Sequence, residues 1–231
     1  DPHRVQLLVE EFCRPPCWTG TLKYAPEIGQ PGGLVQESDG LIHLWVTPKV
    51  FDRLPEMRYG AGCDVAAGTG VTPSCLSIFS ADTGQKVLQY MNANIFANQF
   101  AEFVVSICRL FLDRHGNPPL LGWELQGGSV FGRRVRELSY GRVWIRLDED
   151  SAIRKYSNLG LPGVNINGPS VLPVMNNYRD ALYNRTCVNH SKFAMEETLR
   201  FVHTNRGAEY RGRVKAKKVA DAGSGATLHH V

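Results

Sequence analysis

The sequence predicts an α/β chain, a mixed β-sheet with helices on both faces. Three observations carry this. Short apolar or alternating runs, bounded by Gly, Pro and Asp, recur through the first two thirds of the chain. Between and after them lie longer stretches with apolar residues at three- and four-residue spacing. The two kinds interleave as β-β-β-α-β-α-β-α-α-β, an order that layers helices onto a sheet.

Val5 to Phe12 has the spacing of a short helix. A loop rich in Gly, Pro and Asp follows, then the strand Leu41 to Trp45, closed by Thr47-Pro48. Residues 1–40 read as a lead-in or interdomain linker, and 41–231 as the folded domain. Tyr59 to Ala67, Ser74 to Ser80 and Lys86 to Met91 form three strands in a meander. Its second turn is Asp82-Thr-Gly84, where Asp bonds the backbone and Gly tolerates positive φ. Ala97 to Leu112 places Phe100, Phe103, Val104, Ile107, Cys108 and Phe111 on one helical face. Leu120 to Leu125 is a buried strand, parallel to its predecessor across a helical crossover. Ser129 to Leu138 reads as a helix and Arg142 to Arg146 as a strand. After an irregular stretch at 148–170, Val171 to Thr186 and Lys192 to His203 read as helices. The tail from Tyr210 reads as basic strands with a Gly-Ser-Gly loop.

The chain has 231 residues, 43% hydrophobic and 21% charged, enough for a sizeable core. No apolar run of about 18 residues suggests a membrane span, and the polar start Asp-Pro-His-Arg has no signal-peptide core. The expected setting is a reducing cytoplasm, without secretion. Of the six cysteines, Cys63 and Cys108 lie in apolar runs like buried thiols. Cys13 and Cys17 lack a second Cys/His pair, which argues against zinc. Net charge is +4, and Arg206, Arg211, Arg213, Lys215, Lys217 and Lys218 cluster near the C-terminus with Glu209 the only acid among them. Such a strip suits either a nucleic-acid backbone or plain solvent.

Two acids stand out. Asp64 interrupts the small, apolar run Tyr-Gly-Ala-Gly-Cys-Asp-Val-Ala-Ala-Gly, and Glu124 ends Leu-Leu-Gly-Trp-Glu. Each alone reads as a turn cap or a salt-bridged residue. Together, on strands that can be neighbours, they form a carboxylate pair. Like charges side by side raise a pKa or recruit a cation. An all-oxygen site selects magnesium or manganese, and two such ions suit phosphodiester cleavage. Gly68 and Gly70 just after Asp64 allow close approach of backbone or phosphate.

The run LIHLWVTPK, then YGAGCDVAAGTGVTPSCLSIFSADTGQKV, resembles the opening of the nuclease domain of tailed-phage terminase large subunits. The run FAEFVVSICRLF, then PPLLGWELQGGSVFGRRVRELSYGRVWIR, resembles its next part. The ordered series carries the resemblance, over most of residues 41–204. It implies an RNase H-like fold in which Asp64 and Glu124 are catalytic acids holding two Mg2+ or Mn2+ ions. It also implies a metal-dependent endonuclease that cuts concatemeric viral DNA during genome packaging. The expected partners are double-stranded DNA, the portal protein, the small terminase subunit and an N-terminal packaging ATPase. The expected location is the host cytoplasm, with transient docking on the prohead. The family needs a third acid, which is expected just past Val231. His229 or His230 would then sit beside the metals, though both also read as chain-end residues. Arg211, Arg213, Lys215, Lys217 and Lys218 are the expected DNA contacts. No G-x-x-x-x-G-K-[ST] phosphate loop occurs, so the packaging ATPase is expected on another segment.

Two other readings stand beside this one. DVAAGTGVTPS loosely resembles the phosphate hairpin of actin-like ATPases and sugar kinases, a fold that needs two lobes and a second hairpin. A non-catalytic module binding DNA or the portal would keep the fold and lack the third acid.

Overall fold

Along Ser74–Ser80 the even-numbered side chains are buried and the odd-numbered ones half-buried, the period of two that a sheet imposes. That strand lies inside a seven-stranded sheet. The computed structural model describes residues 2–49, 53–124, 128–144, 168–198, 201–204 and 207–210. The elements are α1 (Pro2–Phe12), β1 (Trp18–Ala25), β2 (Gln30–Gln36), β3 (Ile42–Leu44), β4 (Tyr59–Asp64), β5 (Ser74–Ser80), β6 (Lys86–Asn92) and α2 (Ala97–Cys108). There follow β7 (Leu120–Trp123), α3 (Ser129–Glu137), α4 (Gly168–Tyr183), α5 (Lys192–Thr198), β8 (Phe201–Thr204) and β9 (Gly207–Tyr210). The sheet runs β2-β1-β3-β6-β5-β4-β7, and β8-β9 form a separate hairpin.

The expected meander is present, with β4, β5 and β6 successively antiparallel. Gly84 takes φ +69° in its second turn. Strand β7 returns beside β4 and parallel to it, so two strands 60 residues apart become neighbours. One face of the sheet carries Tyr59, Ala61, Cys63, Leu76, Ile78, Leu88, Tyr90, Leu121 and Trp123, all buried. Helices α2 and α3 cover it. Phe103 stacks on Tyr90 with ring centroids 4.0 Å apart, and Phe131 meets Trp123 edge-on at 5.5 Å.

The opposite face carries Lys86, Gln89 and Cys75. A bulge at Val87 in β6, between the pairs Ile78–Leu88 and Phe79–Lys86, puts Lys86 opposite Phe79 and so onto this side. Here a small cluster of Leu8, Val9, Leu182 and Met195 joins α1, α4 and α5. The strap from Cys187 to Ser191 ties that cluster to the sheet. Lys86 N–H donates to the Val188 carbonyl at 2.8 Å, and His190 lies between the Phe12 carbonyl and Gln85.

Several expectations are corrected. The loop foreseen before Leu41 is the β1–β2 hairpin, whose β1 pairs with β3 and extends the main sheet. Backbone pairing with β1, rather than side-chain periodicity, holds the Gly- and Pro-containing β2 at an edge where Pro is tolerated. Strand β4 stops at Asp64 rather than Ala67. Helix α5 stops at Thr198, because the β-branched run from Phe201 pairs with β9 instead. The strand foreseen at 142–146 contributes, among the described residues, a single bridge from Val143 to Leu121.

Candidate active site

Asp64 is the last residue of β4 and is exposed, so the cost of burying a lone charge does not apply to it. Its neighbours settle its orientation. In β4, Tyr59, Ala61 and Cys63 point into the core, so Gly60, Gly62 and Asp64 point to the other face. In β7, Leu121 and Trp123 point into the core, so Gly122 points outward with Glu124 after it. The parallel register pairs Gly60 with Leu120, Gly62 with Gly122 and Cys63 with Trp123. One step further, Asp64 and Glu124 stand level, on the same face, on adjacent strands about 4.8 Å apart. Glu124 is half-buried.

Among the described residues, a Cβ built at Gly60 or Gly62 would meet nothing within 4 Å, and one at Gly122 would meet the Trp144 Cβ at 3.8 Å. The glycines thus leave a trough beside the two carboxylates, with room for ions or for a backbone laid across it. Across β5, Cys75 pairs with Asp64. Burial first, and then the charge of Asp64, push its thiol up to about 11. The thiol is thus protonated at neutral pH. The two carboxylates offer oxygens, the donors that hard cations such as Mg2+ and Mn2+ prefer. Among the described residues, no group of three or more His, Cys, Asp or Glu could hold a metal ion.

The glycines after Asp64 serve the fold. Gly68 has φ +74°, and a Cβ there would fall 2.6 Å from the Ile95 carbonyl oxygen. The Gly70 N–H donates to the Ala93 carbonyl at 2.9 Å. The turn therefore packs closely against backbone, and the Gly70 amide is already bonded. Cys13 and Cys17, weighed for zinc, approach the Asn189 and Leu44 carbonyls instead. All six cysteines are free.

Two helices begin at the end of the sheet that bears the acid pair, on its core face. Because β6 runs parallel to β4, its last residue, Asn92, pairs with Ser74 at the same end of the sheet as Asp64. Helix α2 starts from there, and α3 starts five residues after Glu124. Both present N-termini toward this end, with no acid in either first turn. Helix N-termini carry partial positive charge. On α3, Arg134 is engaged by Glu102 at 2.9 Å and Glu137 at 3.1 Å, whereas Arg133 and Arg136 are exposed. In the sequence these two arginines are signalled only by the run Arg133-Arg-Val-Arg136. The expected DNA contacts Arg211, Arg213, Lys215, Lys217 and Lys218, and the histidines His229 and His230, lie outside the described residues.

No family model and no curated protein sequence matches this chain. Solved structures do. The large terminase nuclease from thermophilic phage G20c with bound magnesium aligns over 90% of this chain and 88% of its own, at TM-score 0.56 and 14% identity. The same nuclease with bound cobalt gives TM-score 0.56 at 13% identity, over 90% and 88% of the two chains. Without a named metal it gives 0.52 at 12%, over 90% and 89%. This chain has the RNase H-like α/β fold of phage large-terminase nuclease domains.

Proposed function

We propose that this chain is a divalent-metal-dependent DNA endonuclease, the nuclease part of a terminase large subunit, which cuts concatemeric viral DNA during packaging. The observation that carries the reading is the pair Asp64 and Glu124, level on adjacent parallel strands and beside a glycine trough. The fold it shares with terminase nucleases solved with magnesium and with cobalt supports it.

In this reading Asp64 and Glu124 hold Mg2+ or Mn2+ with their carboxylate oxygens. Such ions draw charge from the phosphate and lower the pKa of water at the site. The trough at Gly60, Gly62 and Gly122 admits the sugar-phosphate backbone. The α2 and α3 N-termini, with Arg133 and Arg136, attract that backbone without reading bases. The same reading assigns Arg211, Arg213, Lys215, Lys217 and Lys218 as further phosphate contacts and His229 as a catalytic partner of the acids. The third carboxylate, the packaging ATPase, the portal and the small subunit complete the machine, in the host cytoplasm and on the prohead.

The test is plasmid cleavage in manganese by the wild type and by Asp64→Ala. The variant should keep its fold and lose cleavage. Manganese at about a hundred times its Kd should stabilise the wild type by about 2.7 kcal/mol. For a chain of this size that raises Tm by roughly 5–10 °C, and the variant should show no such rise. Full cleavage by Asp64→Ala would end the proposal.

A further inference from the structure

From Val65 to Ala81 the chain has no acidic residue, although it leaves directly from Asp64. The turn at its start is held from below. Ala66 N–H donates to Ser74 Oγ at 3.0 Å, Gly68 is pressed on the Ile95 carbonyl, and Gly70 N–H donates to Ala93. What this base presents is Val71, which is 86% exposed, the highest value among the exposed large apolar side chains of the described residues. Thr69 and Thr72 flank it, and both are exposed. Exposing a valine side chain gains nothing for the fold, and a loose loop would let it sink onto the surface. Here two glycines at positive φ and three contacts hold the tip out, at the end of the sheet that bears the two carboxylates.

We infer that Val71 is a substrate-positioning residue that packs into the minor groove of duplex DNA while Asp64 and Glu124 face the backbone. The inference rests on the nuclease function proposed above. Its chemistry is that of an apolar side chain against sugars and base edges, the contact that minor-groove proteins use. The Thr69 and Thr72 hydroxyls are suited to donate to phosphate oxygens on either side. The neutral run from Val65 to Ala81 lets the phosphates come near without repulsion.

The test uses the whole chain with a short labelled duplex, binding measured in calcium and cleavage in manganese. Val71→Ser should weaken duplex binding about fivefold and raise KM in step, with a smaller change in kcat. It should leave Tm and the slope of binding against salt as in the wild type, because no ionic contact is lost. Val71→Asp places a carboxylate against phosphates and should weaken binding by roughly tenfold or more. Wild-type binding and KM in both variants would overturn the inference alone. A wild type that neither binds nor cuts the duplex would overturn the nuclease reading and this one with it.

Discussion

Replacing Lys86 with methionine should stabilise the protein at neutral pH and lose that advantage in alkali. Lys86 is 2% exposed, its Nζ donates to Gln89 Oε1 at 2.7 Å, and it lies 5.9 Å from the centre of the Phe79 ring. Burial pushes its pKa down from the usual 10.5 to about 8, against a smaller opposing pull from the thiols of Cys75, Cys187 and Cys13. That drop corresponds to about 3 kcal/mol of preference for the neutral amine. Between about pH 8 and 10.5 the unfolded chain binds the proton more tightly, so stability rises with pH across that window. Below pH 8 the full cost of carrying the ammonium inside stands. Methionine fills a similar volume and removes that cost, but leaves Gln89 short of a donor, a loss of about 1 kcal/mol. The net expectation at pH 7 is a gain of about 2 kcal/mol, turning into a small loss above pH 10.5. Urea unfolding of both chains at several pH values measures it. Cys63, Cys75 and Cys108, whose pKa values burial raises, lower stability in alkali. They do so in both chains, so the difference between the curves reports Lys86 together with its charge coupling to Cys75, Cys187 and Cys13. A destabilised variant at pH 7, or a difference that does not change with pH, would refute the reasoning.

Gly62→Val should fill the trough beside the acid pair. Space is open there and Val favours strands, so Tm should hold or rise while manganese-dependent plasmid cleavage falls; unchanged cleavage would show that the trough is not used. Gly68→Ala forces a side chain into positive φ against the Ile95 carbonyl. It should cost about 1–3 kcal/mol, read as a lower urea midpoint. His190 is held below its ordinary pKa by burial and by Arg14, against an opposing bond with Phe12. Its folded form resists protonation, so its contribution is present above about pH 6.5 and is lost as pH falls below that. His190→Gln should flatten the fall in urea midpoint between neutral and mildly acidic pH. His43, lowered by burial and Lys86, acts in the same direction, and His43→Gln serves as its control.

Much of the framework was legible along the chain because it is local. The alternation in Ser74–Ser80, the Asp82-Thr-Gly84 turn and the apolar face of Ala97–Cys108 each follow from nearest neighbours and the periods of strand and helix. The β1–β2 hairpin and the hairpin from Phe201 were not legible, because their strands are short or contain Gly and Pro and are held by pairing with other segments. The two acids could be singled out from sequence as charges at the ends of apolar runs. Their placement side by side depends on the parallel register of β4 and β7, which pairs Cys63 with Trp123 across 60 residues of chain. A shift of one residue would send them to opposite faces. Lys86 is likewise turned to its side of the sheet by a bulge at Val87 in its own strand, visible only in the pairing of Ile78 with Leu88 and Phe79 with Lys86. Periodicity along one segment names the side chains that can do chemistry. Backbone pairing between distant segments decides which of them meet, because register is a property of two strands and is written in neither alone.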